Sequence, residues 1–400
     1  LALEGQQHVL QNYRQEKVLA DWESLFHKLG IKSTVQAEEQ QRSLRVVHLI
    51  SGLGHGGAES VLYRLTAYAK KDQHIVVSMQ DGGVFAEKFA AAGIELHCLN
   101  MAAGKMGLRN FWRLRNQLKQ LAPDVVQCWM YHADMSDGLA ARLAGIKAVL
   151  CGLGHSGDNS ARSSRSSYLL ARYFSWTSYF IPRLIVACAE LAAKRHKAWG
   201  YQASKMRVIP NGYDLSRWQV ADACSKAQIR ESLGLAATDE VIGFVARWNP
   251  LKDHANLIRA FALLLKRRPG VKLLLIGDGL SVILLGRRDD VPTLMPVLDL
   301  HVLSSMAEGF PNVVAESMAC EVPNVVTDVG DAAFIVDTYG WVVPPKNASA
   351  LSGAIEEALT FLKAPNASLF KQHCRQRVVG HFSLEKMIDR YEKTWREALE

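Results

Sequence analysis

The stretch "RVVHLISGLGHGGAES", residues 45–60, joins an apolar run to a glycine-rich loop. The run predicts a buried β-strand, and the residues that follow Gly57 predict a helix. Gly52, Gly54 and Gly57 have the spacing G-x-G-x-x-G, which presents backbone N–H groups to a phosphate at a helix N-terminus. A dinucleotide-binding enzyme also needs an acidic residue about 20 positions later, and Asp81 is the candidate. The stretch therefore predicts a phosphate-binding loop without deciding whose phosphate it binds.

Similar apolar runs follow this unit and alternate with amphipathic segments. They occupy residues 74–79, 94–99, 124–129, 148–153, 183–189, 241–246, 271–277, 282–286, 298–305, 322–327 and 340–345. Strands that alternate with helices in this way indicate parallel sheets built from βαβ units. A chain of 400 residues is long enough for two such domains. We therefore predict an α/β protein with two Rossmann-like, doubly wound parallel-sheet domains that face each other across a cleft.

The same patterns predict where the domains begin and end. The first domain covers residues 44–215, and the Pro and Asn-Gly turn signals of "RVIPNGYD", residues 207–214, mark the exit from it. The second domain covers residues 216–380. Residues 1–43 are expected to form a helix and a polar linker, and residues 381–400 a terminal helix.

Two segments depart from this simple organisation. Residues 275–286, "LIGDGLSVILLG", are too few for two parallel strands, because a parallel crossover needs a dozen or more residues. Either the two strands are antiparallel or, as we favour, a helix-length segment near residues 280–281 is absent. Residues 9–26 resemble residues 378–395, which suggests that the N-terminus derives from the last helix of a fused or tandem unit. Chance similarity of two amphipathic helices is the alternative.

The positive charge is concentrated in the first half of the chain. The net charge is +8, and residues 44–220 hold 22 Lys and Arg against 11 Asp and Glu. Such a surface suits a membrane, a phosphate-bearing acceptor or a nucleic acid, or it serves only solubility. Residues 111–121 and 160–176 are basic amphipathic stretches that could contact an anionic membrane. No aromatic-basic recognition motif is present, so a nucleic acid is not expected.

The cysteine content, the hydropathy and the N-terminal sequence indicate the cellular compartment in which the chain is expected. The seven cysteines include no C-x-x-C pair, so reduced thiols are expected rather than disulfides or a zinc site. The sequence contains no uninterrupted apolar run of about 18 residues, so no transmembrane helix is expected. The N-terminus lacks the basic-then-apolar pattern of a signal peptide. A cytoplasmic chain is therefore expected, with peripheral contact to the inner face of the plasma membrane as an open alternative.

Charged residues follow two predicted strands of the second domain. Arg247 and Lys252 lie at the start of a predicted helix, where two cations can clamp a diphosphate. With Pro311 in the first turn of the next helix, Glu308 precedes that helix and Glu316 lies within it, so both can address one ligand. Paired carboxylates also suit metal binding or hydrolysis. No His or Asp cluster has metal-ligand spacing, however, so no metal is expected.

In their order along the chain, six segments resemble the motifs of one enzyme family. They are "GLGHGGAES", "VIPNGYD", "GFVARWNPLKDH", "LLIGDG", "LLGRRDDVP" and "SSMAEGFPNVVAESMAC". The family is the retaining glycosyltransferases of family 4, group 1, which have the GT-B fold, and the resemblance runs from about residue 44 to the C-terminus. It implies transfer of a hexosyl or N-acetylhexosaminyl group from a UDP- or GDP-sugar to a glycan or lipid-linked acceptor. It further implies retention of configuration, no metal or other cofactor, and a role in surface polysaccharide or glycoconjugate assembly.

The resemblance implies a donor site built mainly from the second domain. Arg247 and Lys252 would neutralise the departing diphosphate. Glu316 would hold the ribose, and Glu308 would bind the donor sugar and act in catalysis. The backbone groups expected to approach the donor's sugar or distal phosphate belong to Gly56, Gly57, Gly309, Phe310 and Asn312.

On the acceptor side, the resemblance implies roles for two first-domain residues. His155 ends a predicted strand near the transferred sugar, although a lone histidine is often structural. Asn211 belongs to a turn that lines the cleft, and Asp81 loses its proposed role. The family also has a helix before "LLGRRDDVP" that this chain lacks. Another GT-B activity, such as a sugar-nucleotide epimerase or phosphorylase, or a non-catalytic sugar-nucleotide-binding protein, stays an alternative.

Overall fold

A computed structural model describes residues 22, 24–25, 42–54, 56–102, 107–129, 134–153, 173–277 and 290–400 of the chain. The chain divides into two compact units, Leu1–Leu44 and Arg45–Glu400. In the first unit, Trp22, Ser24 and Leu25 are helical. The rest of the predicted N-terminal helix and nearly all of its linker lie outside the described residues. The second unit contains two parallel β-sheets.

The first sheet has seven parallel strands. They are β1 Arg45–Ile50, β2 Gln73–Ser78, β3 Glu95–Cys98, β4 Val125–Trp129, β5 Ala148–Leu153, β6 Leu184–Ala187 and β7 Met206–Val208. Their order in the sheet is β3-β2-β1-β4-β5-β6-β7. The helices of this region are α1 Gly57–Tyr68, α2 Ala86–Ala91, α3 Leu108–Leu121, α4 Asp134–Leu143 and α5 Glu190–Ala198. Because the order reverses between β1 and β4, the carboxyl ends of these two strands border the crevice where α/β proteins bind ligands.

The second sheet has five parallel strands. They are β8 Val241–Val245, β9 Lys272–Ile276, β10 Leu300–Leu303, β11 Asn324–Thr327 and β12 Gly340–Val343. Their order is β12-β11-β10-β8-β9, so the switch point lies between β8 and β10. The later helices are α6 Ala223–Ser232, α7 His254–Leu265, α8 Val291–Leu294, α9 Asn312–Ala319, α10 Ala332–Val336, α11 Ala348–Phe361, α12 Ala367–His381 and α13 Leu384–Glu397. Two doubly wound parallel sheets confirm the predicted α/β class.

One observed strand lies where no strand was predicted. Strand β7 overlaps the start of residues 207–214, which turn signals marked as the exit from the first domain, because Met206–Val208 pairs with β6 before the turn is reached. The predicted strand at 282–286 and the question of an absent segment near 280–281 both fall outside the described residues. The predicted domain boundaries stay predictions.

The chain passes between the two sheets at two points, and these points are hydrogen-bonded to each other. Tyr213 N–H donates to Phe382 O at 3.0 Å, and Leu384 N–H donates to Tyr213 O at 3.1 Å. A Cβ added to Gly212 would lie 2.7 Å from Met387 Cβ and 2.9 Å from Leu384 Cα. Glycine therefore permits the close approach of the two crossing segments, which we call the paired crossing (residues 211–214 and 382–384).

After the paired crossing, α13 returns to the first sheet and packs against α1. Trp395 of α13 is fully buried. Its ring centroid lies 5.8 Å from that of His48 in β1 and 5.4 Å from that of His74 in β2. Arg396 donates to both carboxylate oxygens of the buried Asp72, at 3.0 and 3.2 Å. Apolar burial and a bidentate ion pair thus hold the C-terminal helix on the first sheet.

The two histidines beneath Trp395 are kept neutral by burial. Trp129 Nε1–H donates to His48 Nδ1 at 3.1 Å, which leaves His48 Nε2–H to donate to His74 Nδ1 at 3.0 Å. Loss of hydration lowers the pKa of His48 well below its ordinary value. The same cause lowers the pKa of His74 to about 4. The histidine pair therefore favours folding only while both rings carry no charge.

Substitution of Gly212 tests the paired crossing. Because Gly212→Ala would force its Cβ against Met387 and Leu384, we expect the free energy of unfolding to fall by about 1–3 kcal/mol. The matched control is Gly353→Ala in the exposed part of α11, where an added Cβ has no atom within 4 Å. It should raise stability by up to about 1 kcal/mol. Equal urea midpoints for Gly212→Ala and the wild type would contradict the close packing.

Acid should weaken the fold through the histidine pair. His74 has a folded pKa of about 4 and an unfolded pKa of about 6.5, so the unfolded state binds more protons as the pH falls below 6.5. His74 alone should then cost about 2 kcal/mol at pH 5. We expect the urea midpoint to fall between pH 7 and pH 5, and less steeply for His74→Gln than for the partly exposed control His373→Gln. Equal slopes would contradict the assignment.

Candidate functional site

The glycine loop after β1 lies against a helix N-terminus of the second sheet. Gly56 is the N-cap residue of α1, with an extended backbone and no side-chain cap. A Cβ on Gly56 would collide with the Glu59 carboxylate, and a Cβ on Gly57 would lie 3.3 Å from Asn312 Nδ2, at the first residue of α9. The N-termini of α1 and α9 therefore converge, and each presents N–H groups that the helix itself does not use.

Asn312, the first residue of α9, is also hydrogen-bonded to the paired crossing. Its Oδ1 accepts hydrogen bonds from Tyr213 Oη at 2.7 Å and from Asn211 Nδ2 at 2.9 Å. Two donors on Oδ1 fix the orientation of the amide, so Nδ2 is the atom that faces Gly57. Tyr213 is fully buried and Asn211 nearly so. Asn211, predicted on the acceptor side, thus lies at the start of α9.

The loop before α9 leaves its backbone donors available. Pro311 caps α9 without a side-chain hydrogen bond. Within the described part of the chain, the N–H groups of Gly309, Phe310 and Asn312 have no hydrogen-bond acceptor. Gly309 O accepts a hydrogen bond from Asp331 N–H at 2.9 Å, so the loop is anchored through this carbonyl group. The Phe310 ring is buried against Phe382, at 5.5 Å between centroids, so only its backbone can reach a ligand.

Lys252 and Glu308, both predicted site residues, lie together and form an ion pair. Lys252 Nζ is 2.5 Å from Glu308 Oε1, and the two side chains are 26% and 12% exposed. Ser305 Oγ also donates to Oε1, at 2.6 Å. Within the described residues, Oε2 of Glu308 accepts no hydrogen bond, so one carboxylate oxygen stays open to a ligand. Arg247 follows β8 at the same edge of the sheet, and its side chain is exposed.

Glu316 lies one turn after Asn312 on α9, in a desolvated environment. Burial raises its pKa to about 7, and the positive charges of Arg64 and Arg217 oppose that rise. Arg64 belongs to α1, seven positions after Gly57, and its guanidinium carbon lies 5.2 Å from the Tyr213 ring centroid. Sequence reasoning missed Arg64 and Tyr213. The helical spacing from Gly57 was the signal that could have indicated Arg64.

Asp331 connects the loop before α9 to the first domain, and it was also missed. Its carboxylate accepts from Glu190 N–H at 2.6 Å and from Leu191 N–H at 2.9 Å, at the start of α5. Its own N–H bonds Gly309 O. One residue therefore caps a first-domain helix and positions the loop of the second sheet. Nothing in the local sequence indicates that contact, because it depends on how the two sheets meet.

The remaining predictions concern residues or features elsewhere. His155 lies outside the described residues. Asp81 accepts from Gly83 N–H at 3.1 Å within its own turn. Among the described ranges, no group of three or more His, Cys, Asp or Glu side chains could hold a metal ion. The described helices include none with the length and hydropathy needed to cross a membrane.

Comparison with protein families finds matches along both sheets. Residues 55–217 match the family model described as Glycosyltransferase Family 4, and residues 239–360 match that of Glycosyl transferases group 1. The chain is 28% identical over 322 residues to the putative glycosyltransferase EpsF of Bacillus subtilis, covering 71% of this chain and 79% of the relative. It is 24% identical over 319 residues, 73% of this chain and 80% of the relative, to an Escherichia coli enzyme. That enzyme is named UDP-Gal:alpha-D-GlcNAc-diphosphoundecaprenol alpha-1,3-galactosyltransferase.

Solved structures show the same fold. HepE of Anabaena, crystallised with UDP, superposes with a TM-score of 0.77 at 20% identity, covering 88% of this chain and all of HepE. Sucrose-phosphate synthase of Thermosynechococcus elongatus superposes with a TM-score of 0.71 at 16% identity, over 88% of this chain and 98% of the synthase. At these identities the likeness concerns the fold.

Proposed function

Because this chain belongs to the group 1, family 4 glycosyltransferases and has the GT-B fold, we propose that it transfers a sugar from a UDP- or GDP-sugar. The proposed acceptor is a glycan or a lipid-linked glycan in surface polysaccharide or glycoconjugate synthesis. The observation that carries the proposal is the convergence of Gly57 with Asn312, where the N-termini of α1 and α9 lie together and the N–H groups at the start of α9 have no acceptor among the described residues. The UDP complex of HepE and the UDP-galactose-dependent E. coli relative support the choice of donor.

The donor would bind at this convergence. The N–H groups of Gly309 and Phe310 and the N-terminus of α9 suit an anionic diphosphate or sugar hydroxyls. Glu308 Oε2 would accept from a hydroxyl of the donor sugar, while Lys252, held by Oε1, would donate to a phosphate oxygen. Gly56 and Gly57 allow the first domain to approach the distal phosphate without a side chain in the way. Glu316 would accept from the ribose hydroxyls.

Catalysis would then be electrostatic. Negative charge develops on the diphosphate as the bond to the sugar breaks, and Arg247 with Lys252 would stabilise that charge at the cleft. Contact between the two domains would exclude water, which favours transfer over hydrolysis. We propose transfer of a hexosyl or N-acetylhexosaminyl group with retention of configuration and without a metal. His155 is proposed beside the transferred sugar, and Asn211 on the acceptor side of the cleft.

A peripheral membrane contact is part of the proposal for the acceptor. Helix α3 exposes Leu108 (81%) and Trp112 (51%), and Arg115 lies 5.7 Å from the Trp112 ring centroid. Apolar and aromatic side chains among cations suit an anionic lipid surface. This contact would bring a lipid-linked acceptor to the cytoplasmic face of a membrane. The origin of residues 1–43 as the terminal helix of a fused or tandem unit stays a separate proposal, based on sequence alone.

Donor binding and transfer can be tested in one series. We expect UDP-, GDP- or related nucleotide sugars, but not NAD, to raise the melting temperature of the wild type, because a ligand of the folded state stabilises it. Arg247→Ala and Glu316→Ala should each lower transfer by about 100-fold or more. Arg259→Ala, an exposed arginine on α7, is the matched control. Unchanged turnover in both site variants, or stabilisation by NAD alone, would overturn the proposed function.

The membrane contact has its own test. The double variant Leu108→Ala/Trp112→Ala should sediment less with vesicles of phosphatidylglycerol and phosphatidylcholine than the wild type, and salt should weaken wild-type binding. The control is Leu369→Ala, an apolar residue on α12 that is about as exposed (55%) as Trp112. Equal sedimentation of the wild type and the α3 variant would contradict a contact through α3.

A further inference from the structure

Arg64 is a charged side chain of the first domain with two donor atoms that no described residue satisfies. Its Nε and Nη2 atoms are buried and have no hydrogen-bond partner among the described residues. Its guanidinium lies over the ring of Tyr213, at 5.2 Å. Burial of two unpaired donors costs about 1–3 kcal/mol each, so packing on Tyr213 does not by itself explain an arginine here. An arginine at this position suits an anionic group.

The anionic group that this arrangement brings near Arg64 is Glu316. Tyr213, which carries Arg64 on its ring, donates its hydroxyl to Asn312 at 2.7 Å. Asn312 and Glu316 are four residues apart on α9 and share one helix face. Arg64 of α1 is therefore connected through Tyr213 and Asn312 to the helix that carries Glu316, and its charge acts electrostatically on both Glu316 and Tyr213.

Three other groups also face Glu316, and one of them is charged at pH 7. Arg217, on the segment after the paired crossing, favours the ionised carboxylate. The buried Tyr213 hydroxyl and the Cys320 thiol, which directly follows α9, are both neutral at pH 7, since burial raises the pKa of each. Among the described residues, Arg64 and Arg217 are thus the two cations that counteract the rise in the pKa of Glu316 caused by desolvation. Arg217 is exposed, so solvent screens its charge more than that of the buried guanidinium of Arg64.

We propose that Arg64 is a positioning residue of the donor site, whose charge favours the carboxylate form of Glu316, the form that can accept hydrogen bonds from both ribose hydroxyls. The inference rests on the proposed function, because it assigns Glu316 to the ribose. An ionised carboxylate offers acceptors on both oxygens, whereas the protonated form turns one oxygen into a donor. A residue of the first domain therefore sets the binding competence of a residue in the second domain. Donor binding depends in this way on contact between the domains.

The pKa of Glu316 determines the pH range in which donor binding weakens. That pKa is about 7 with Arg64 present, so donor affinity should fall as the pH drops below 7 and Glu316 gains a proton. Removing the Arg64 charge raises this pKa further. The variant should then need a higher pH to reach the same affinity, because each increase of about one in the pKa changes the protonation equilibrium about tenfold.

The experiment measures the dissociation constants of UDP-glucose and GDP-mannose by calorimetry from pH 6 to pH 8.5. Both are diphosphate esters that do not titrate in this range, unlike the free nucleotides. For Arg64→Met, a rise of about one in the pKa of Glu316 should make binding about fivefold weaker at pH 7, with recovery towards pH 8.5. Arg64→Lys should retain most of the wild-type profile. The matched control is Lys88→Met, which removes a cation of α2 that lies 5.0 Å from the Phe85 ring centroid, and it should change neither the affinity nor its pH profile.

A second comparison separates the charge effect from a structural one. Glu316→Gln cannot ionise, so adding Arg64→Met to Glu316→Gln should cause no further loss of affinity. Weaker binding by Arg64→Met that persists at pH 8.5, or an equal loss in the Glu316→Gln background, would overturn the role of Arg64. If wild-type protein binds neither nucleotide sugar at any pH, the proposed function fails instead. If wild type binds and Arg64→Met has the wild-type profile, only this inference fails.

Discussion

The hydrogen bonds to Asn312 Oδ1 are the interaction on which the site depends. Tyr213 and Asn211 donate from the segment that leaves the first domain, and Asn312 opens the helix of the second sheet that carries Glu316. The amide therefore fixes α9 against the crossing segment, and Gly57 can then approach it closely. If the amide were lost, the convergence of the two helix N-termini would lose its anchor, and the buried Tyr213 hydroxyl would lose its acceptor.

Two further polar contacts, one made by Asp331 and one by Arg396, hold the two domains together. Asp331 caps α5 while its N–H holds Gly309, so the loop that presents free N–H groups is tied to the first domain. Arg396 of α13 pairs with the buried Asp72 beside the histidine pair. Apolar packing also spans the meeting of the two sheets, because Ala192 of α5 belongs to the same buried cluster as Val314 and Met318 of α9. The directional hydrogen bonds add a definite geometry to that contact. Such bonds have definite geometry, which suits a site assembled from both domains.

Much of the fold could be predicted, because buried parallel strands are nearly continuous apolar runs. Residues 148–153 were predicted with the observed bounds of β5, and the donor loop was placed before the helix that begins at Asn312. The mutual pairing of Lys252 with Glu308 was not foreseen, although both were selected. Arg64 and Asp331 were missed because their partners come from the other domain. A single sequence shows the spacing along one helix face but not which face meets another domain.

We propose that one nucleotide sugar contacts both domains where the N-termini of α1 and α9 converge. Hydrogen–deuterium exchange, measured with and without UDP-glucose and separately with GDP-mannose, tests it most directly. We expect one of these donors to slow exchange both in residues 56–64 and in residues 305–318. Slowed exchange in only one of the two segments, or in neither while the ligand is bound, would contradict it.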